Sequence, residues 1–431
     1  MIHPNLETLL LLTAVLMIAA VFAGSLTSRF GLPALIGFLG LGMLAGVDGL
    51  GVAFNDFAIS KDIGVIALIL ILFSGGMETP WRVVRRVLAP VAILATVGVL
   101  ISAAVVAALT VLVFHKSLAE GALLGAIISA TDAAAVFAVI KASGVSLRAD
   151  VRALIEVESG SNDPTAAFLV LAATALLAQT GGSLVHLAPD FFIETFVGVA
   201  VGCGVGGLFV FAMRRGRVAT LGLAGVLATS GALLAYGLSS LLHGNGFFAA
   251  YASGIMVGTL GFKQKRSVVQ FQDGVAWLAQ VTMFLTLGLL VNPHELPGVA
   301  AEGVVTTVIL MLVARPVSVF ICLTPFRQFG WREKLFVGWG GLRGAAPIVL
   351  SIFPMLAHVP GSGEVFNIVF FVVLLASVVQ GPTLGWLARK LKLDEAPKAP
   401  IGHYSEPFVS AAPGELVNAA SGGEVGVASR P

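Results

Sequence analysis

The sequence predicts an all-α polytopic membrane protein of about thirteen transmembrane helices. Three observations carry that expectation. First, only 11% of the 431 residues are charged while 57% are hydrophobic, whereas a soluble domain has about a quarter charged residues. A chain this long has too few charges to coat a soluble surface, and its mean hydropathy is +0.98. Second, apolar runs of about the twenty residues needed to cross hydrocarbon recur along the whole chain. Third, basic residues gather in alternate gaps between those runs. Together these exclude a soluble enzyme, a secreted disulfide scaffold and a nucleic-acid binder. Only three tyrosines and no long strand-like alternation argue against an outer-membrane barrel. Cys203 and Cys322 both sit in apolar runs and read as small packing residues.

The segments run approximately over 7–24, 32–50, 62–76, 87–114, 119–141, 152–178, 191–213, 218–242, 245–261, 270–291, 299–323, 334–356 and 364–388. The first is too long to be a cleaved signal peptide, and no small-residue cleavage site follows a basic start. With the N-terminus outside, the inner gaps hold Arg29, then Arg82, Arg85 and Arg86, then Lys141, Arg148 and Arg152. Arg214, Arg215 and Arg217 follow, then Lys263, Lys265 and Arg266, then Arg327, Arg332 and Lys334, and finally Arg389, Lys390, Lys392 and Lys398. That places 20 of the 25 Lys and Arg inside, against Lys61 and Lys116 outside. One missed or invented helix would scramble the alternation. The C-terminus is therefore expected in the cytoplasm. Residues 393–431, rich in Pro, Gly, Ala and Ser, read as a disordered cytoplasmic tail, with Arg430 in it.

An ionisable group at mid-membrane costs at least ~2.5–3.5 kcal/mol, so the few inside segments mark function: Asp132, Glu156, Glu158, Asp163, Arg315 and Arg343, with Asp273 nearer an inner end. In the fifth segment, Thr131 and Asp132 lie among small residues, where an opened backbone offers carbonyls to a cation and a half-helix N-terminus takes an acid. The sixth segment carries IEVESGSNDPTAAF, the densest polar run of the chain. Glu158 and Asn162 share one helix face, as do Ser159 and Asp163, and Pro164 frees a carbonyl. Ser159, Asn162 and Asp163 offer the oxygens that a hard cation such as Na⁺ or K⁺ prefers, and the carboxylate can take a proton instead. Arg315, mid-way along the eleventh segment, needs a carboxylate partner, and Glu158 is the expected one. Arg343 lies in GWGGLRGAAPIVLSIFP, where Gly338, Gly340, Gly341, Gly344 and Pro347 interrupt the twelfth segment. It would offset helix-end dipoles or sit at the inner mouth. Interrupted segments five and twelve occupy equivalent places if two inverted six-helix repeats flank one linking helix, which is the best sequence pointer to a midplane transport site. Gly75, Gly76 and Glu78 read as close helix packing, and His115, His186, His243 and His358 as solvated loop residues.

At these residues the chain resembles the monovalent cation:proton antiporter superfamily, in particular its NhaP-type branch and the bacterial CvrA-type potassium/proton antiporters. SATDAAAVFAVI, IEVESGSNDPTAAFLV, ARP and GWGGLRGAAPIVLSIFP carry the resemblance, which covers roughly residues 5–392. It implies that Asp163 alternates between cation and proton, and that Asn162 beside it marks electroneutral one-for-one exchange. It implies that Thr131 (through its carbonyl), Asp132 and Ser159 complete the ion shell and that Glu158 pairs with Arg315. It further implies a homodimer of thirteen-helix protomers in the bacterial inner membrane. There, a moving core of about 87–178 and 299–392 slides against a dimerisation scaffold of about 5–80 and 191–291. The chain departs from the potassium/proton relatives in having a short tail where they usually continue into cytoplasmic regulatory domains.

The leading expectation is thus a secondary transporter exchanging K⁺ or Na⁺ for H⁺, with the lipid bilayer and a second copy of the chain as partners. No cofactor, nucleic acid or soluble small-molecule substrate is expected, and no metal beyond the transported cation. A pH-gated cation channel is the alternative, but no filter motif supports it. An enzyme is not expected: no Gly-x-Ser-x-Gly elbow, His-Glu-x-x-His helix or Gly-Lys-Ser phosphate loop is present.

Overall fold

A computed structural model describes residues 6–52, 54–79, 81–178, 187–216 and 220–395. The first half of the chain forms α1 (Leu6–Arg29), α2 (Ala34–Ala45), α3 (Phe57–Glu78), α4 (Trp81–Ile93), α5 (Val99–Phe114), α6 (Leu118–Ile127), α7 (Ala133–Ala142) and α8 (Ala149–Leu177). α9 (Leu187–Arg214) links it to α10 (Leu221–Leu241), α11 (Gly246–Thr259), α12 (Lys265–Leu290), α13 (Leu296–Ile309), α14 (Arg315–Leu323), α15 (Trp331–Trp339), α16 (Ala345–Leu356) and α17 (Ser362–Lys390). Among the described residues, eight helical stretches are long and apolar enough to cross a bilayer, with α4–α5 and α13–α14 counting as one each. Each of the sequence-defined segments holds one helix or two in series.

The two halves repeat one pattern. The short helices α2 and α11 have 12 and 14 residues, and α8 and α17 close each half with 29 residues apiece. The helix pairs α6/α7 and α15/α16 are each interrupted, as the polar and glycine-rich runs predict. A further correspondence was not legible in the sequence. α4 passes into α5 through a π-helical turn, Leu94–Gly98, and α13 passes into α14 through another, Leu310–Ala314. Pro316 accounts for the second, because its ring would clash with the carbonyl of Leu312 in a regular helix; nothing comparable explains the first. Just beyond the two turns, Ser102 donates to Ser318 at 3.0 Å, joining matching positions of the two halves.

Glycine sets the closest helix crossing near the site. A Cβ on Gly76 of α3 would lie 2.5 Å from the Tyr251 carbonyl oxygen, and one on Gly254 of α11 would lie 2.3 Å from that of Phe73. Gly76 therefore carries the expected close packing, while Gly75 faces open space. α1 is held differently: Leu6, Leu11 and Phe22 are each 67–70% exposed, a surface suited to lipid and unfavourable in water.

His115, His243 and His358 adopt left-handed backbone angles, φ 54–55°, at the ends of helices, a conformation in which His is several-fold enriched. His294 is paired, its Nδ1 lying 2.8 Å from Asp48. The described residues run slightly past the sequence-defined boundary at 392. Ser146 N–H donates to the Asp394 carboxylate at 2.8 Å, and Arg148 N–H to the Leu393 carbonyl at 3.2 Å. His186, Arg217, Lys398, Arg430 and the rest of the tail lie outside the described residues.

Gly254→Val should force α3 and α11 apart and lower stability by about 1–3 kcal/mol. Thermal unfolding in detergent should register it as a clear fall in Tm, with Gly75→Ala unchanged.

Candidate cation-binding site

The site forms where the two interrupted helix pairs meet α8. α6 ends at Ile127 and α7 begins at Ala133; α15 ends at Trp339 and α16 begins at Ala345. The two gaps are laced together. Asp132 N–H donates to the Leu342 carbonyl at 2.8 Å. Arg343 Nη1 donates to the carbonyls of Ser129 and Ala130, both at 2.6 Å, beyond the C-terminal end of α6. Positive charge is favourable there because helix C-termini carry partial negative charge. Asp132 caps α7, its Oδ1 accepting from Ala135 N–H at 3.1 Å. The carboxylate lies so close to the Gly344 backbone that a Cβ there would come within 2.0 Å of Oδ2. Only glycine fits at 344.

α8 passes beside this crossing as one continuous helix through Pro164. Ser159 Oγ donates to the Thr131 carbonyl at 2.7 Å and accepts from Ala133 N–H at 2.9 Å, bridging the gap in the fifth segment. Asn162 accepts from Thr131 N–H at 3.2 Å and donates through Nδ2 to Thr131 Oγ1 at 2.6 Å and to Glu158 Oε1 at 2.8 Å. Its amide thus holds the opened backbone against α8.

Arg315 and Glu158 meet as a two-bonded ion pair, Nη1 to Oε1 and Nη2 to Oε2, both at 2.9 Å. Glu158 is 1% exposed and Arg315 3%. With Asn162 on Oε1 and Thr131 Oγ1 on Oε2 at 3.3 Å, the Glu158 carboxylate is saturated. Such a pair is weak evidence for stability in itself, but breaking one side strands a buried charge.

Asp163 is the contrast. Its Oδ1 is buried with no hydrogen-bond partner. It stands at the inner end of a cavity of about 450 Å³ that also reaches Asp132, Ser159, Glu78, Lys141 and Arg152. The cavity therefore connects Asp163 with the side of the molecule that carries the basic loops. On its other side Asp163 borders only about 10 Å³ of space, lined by Leu68, Leu72, Ala167, Phe247, Ala346 and Leu350. That is too small for a hydrated ion, so the path is open to one side and closed by apolar side chains on the other.

The cavity wall includes residues that the sequence left in lesser roles. Glu78 and Asp273 both face it, and Ser74 Oγ donates to Asp273 Oδ1 at 3.1 Å. Glu156 accepts from Thr79 Oγ1 at 2.8 Å. Tyr251, one of the chain's three tyrosines, packs so tightly on Gly160 that a Cβ there would lie 2.5 Å from its ring. Glu78 was legible only as a charge near a glycine pair, and Tyr251 only as a rare residue in an apolar run.

Residues 15–390 match the family described as sodium/hydrogen exchanger, transmembrane. The chain belongs to that family. The K(+)/H(+) antiporter NhaP of Alkalimonas amylolytica is 38% identical over 418 residues, covering 96% of this chain and 71% of that protein. The K(+)/H(+) antiporter NhaP2 of Shewanella oneidensis is 38% identical over 400 residues, covering 91% and 69%. The solved sodium proton antiporter MjNhaP1 of Methanocaldococcus jannaschii superposes with a TM-score of 0.77 over 90% of this chain and 100% of its own, at 23% identity. That likeness establishes the all-helical antiporter fold.

Arg315→Met should strand Glu158 and destabilise the protein by about 3–5 kcal/mol, with much of the loss recovered in Glu158→Met/Arg315→Met. Thermal melting of both in detergent checks it.

Proposed function

We propose that this chain is a secondary antiporter exchanging a monovalent cation, K⁺ or Na⁺, for H⁺, with Asp163 as the group that carries one or the other. One observation carries the reading: the Asp163 carboxylate has a buried oxygen without a hydrogen-bond partner and lines a cavity that also reaches Asp132 and Ser159. A site built of Asp163 with Asp132, the Thr131 carbonyl and Ser159 has the oxygen chemistry of an alkali-cation shell. Asn162 and the Glu158–Arg315 pair hold that shell in shape. Family membership and relatives named as antiporters support exchange and give no support to the channel alternative. Because the 38% identical relatives are named K(+)/H(+) antiporters, K⁺ is the first cation to test.

The physical basis of coupling is competition. An ionised, empty Asp163 carries naked charge and resists crossing hydrocarbon. Either a cation or a proton neutralises it, and either loaded form moves. Uptake of one after release of the other gives electroneutral one-for-one exchange: the cation goes out of the cell and the proton in. In this reading thirteen segments cross the plasma membrane of a bacterium, with the N-terminus outside and the C-terminus in the cytoplasm. The cavity then faces the cytoplasm. Two copies form a homodimer through the scaffold, about 5–80 and 191–291, and the core, about 87–178 and 299–392, slides against it. The chain acts without a cofactor and performs no covalent chemistry.

Asp163→Asn should reduce proton-coupled K⁺ and Na⁺ flux in proteoliposomes to background while the protein still inserts. Flux at the wild-type level would sink the proposal. In the wild type, the apparent affinity for the cation should weaken about tenfold per pH unit on the acid side, where proton and cation compete for one site. An internal pH dye, with K⁺, Na⁺ and Li⁺ titrated separately, reads both.

A further inference from the structure

Arg343 is 1% exposed, lies beside the site and forms no ion pair among the described residues. Its hydrogen bonds go from Nη1 to two backbone carbonyls, and its Nε and Nη2 are buried with no partner. A guanidinium needed only to cap α6 could be replaced by a neutral donor, and burying its full charge would be an expensive way to do it. Arg315 differs, because its charge is cancelled by Glu158 at contact distance. The charge of Arg343 has no such local sink, and it sits at the crossing where the neighbouring Leu342 carbonyl accepts from Asp132 N–H.

The helix crossing gathers three carboxylates, Asp132, Glu158 and Asp163, and two guanidiniums, Arg315 and Arg343; Glu158 and both guanidiniums are buried, while Asp132 and Asp163 line the cavity. Glu78, Glu156, Asp273, Lys141 and Arg152 line the same cavity; Glu156 is hydrogen-bonded to Thr79 and lies 3.8 Å from Arg152, and Asp273 is hydrogen-bonded to Ser74. Once Glu158 and Arg315 cancel, two aspartates face one guanidinium. The empty site is left with one uncompensated negative charge, which one monovalent cation or one proton brings to zero. Without Arg343, a singly loaded site would still be negative.

We propose that Arg343 sets the charge of the moving site, so that a single monovalent cation or a single proton makes it neutral. It does so as a positioning residue that offsets one of the two aspartates without touching the ion. This rests on the antiport reading above. It goes further by assigning to a residue of the second interrupted helix pair the reason why one charge, and not two, is carried.

The test compares Arg343→Gln, which removes the charge, with Arg343→Lys, which keeps it but loses the planar fork. Both are reconstituted, and cation/proton exchange is followed at zero potential and at 100 mV imposed with a thiocyanate gradient. Wild type and Arg343→Lys should exchange at rates independent of potential to within about twofold. Arg343→Gln should be at least about tenfold slower. Its residual exchange should change about sevenfold per 100 mV if the uncompensated charge crosses half of the field. Arg343→Gln exchanging at the wild-type rate without potential dependence would overturn the proposal. So would equal slowing of both variants with no potential dependence, since the residue would then act only through its carbonyl bonds. If the Gln protein does not insert, Arg343→Lys decides: exchange at any potential supports a role for charge, and an inserted but inactive Lys protein overturns it. Wild type without any proton-coupled flux would count against the antiport reading instead.

Discussion

The structure turns on where a carboxylate inside the membrane is left without compensation. Glu158 has four hydrogen bonds, two of them from Arg315, and its charge is cancelled in place. Asp163, five residues further along the same helix, has a buried oxygen with no partner. The first arrangement is static, and removing either member leaves a stranded charge. The second leaves an oxygen without a partner, which in the proposed exchange a cation or a proton from solution completes. Most features around the site serve to keep the two conditions apart: Asn162 bridges Glu158 to the opened backbone, Ser159 ties that backbone to α8, and glycine at 344 leaves room for the Asp132 carboxylate.

Two interrupted helix pairs make this possible. A continuous helix has no free carbonyl or amide at mid-membrane. At 128–132 and 340–344 the chain gives up helical bonds and replaces them across the crossing, with Asp132 N–H on the Leu342 carbonyl and Arg343 on the carbonyls of Ser129 and Ala130. Each half supplies one interruption, and the repeat extends to the π-helical turns and to the Ser102–Ser318 contact between matching positions. Two related halves placed against each other offer a natural pair of alternative arrangements. Here Asp163 communicates with the basic-loop side through a wide cavity, while Leu68, Leu72 and Phe247 close the other side.

Much of this was legible in the residues because hydrocarbon makes polar groups conspicuous. The alternation of arginines and lysines set the order of segments, and the run around Asp163 stood out as the one dense polar stretch in an apolar helix. The pairing of Glu158 with Arg315 could be expected from the cost of an unpaired guanidinium. The π-helical turns could not, since they change how a helix winds without changing its apolar pattern, and only Pro316 hinted at one. The roles of Glu78 and Tyr251 were hidden for another reason. A cavity wall is assembled from α3, α8, α11 and α12, and spacing within one helix says nothing about which residues meet across four. The partners of Arg343 were equally out of reach, because its bonds go to backbone carbonyls more than two hundred residues earlier.

The central claim is that cation and proton occupy one carboxylate in turn. It is tested most directly by proton release on binding. When K⁺ or Na⁺ is added to purified, weakly buffered protein on the acid side of half-occupancy, up to one proton should leave for each cation bound. In Asp163→Asn that release should vanish. Cation binding with no proton released, or release that persists in Asp163→Asn, would contradict it.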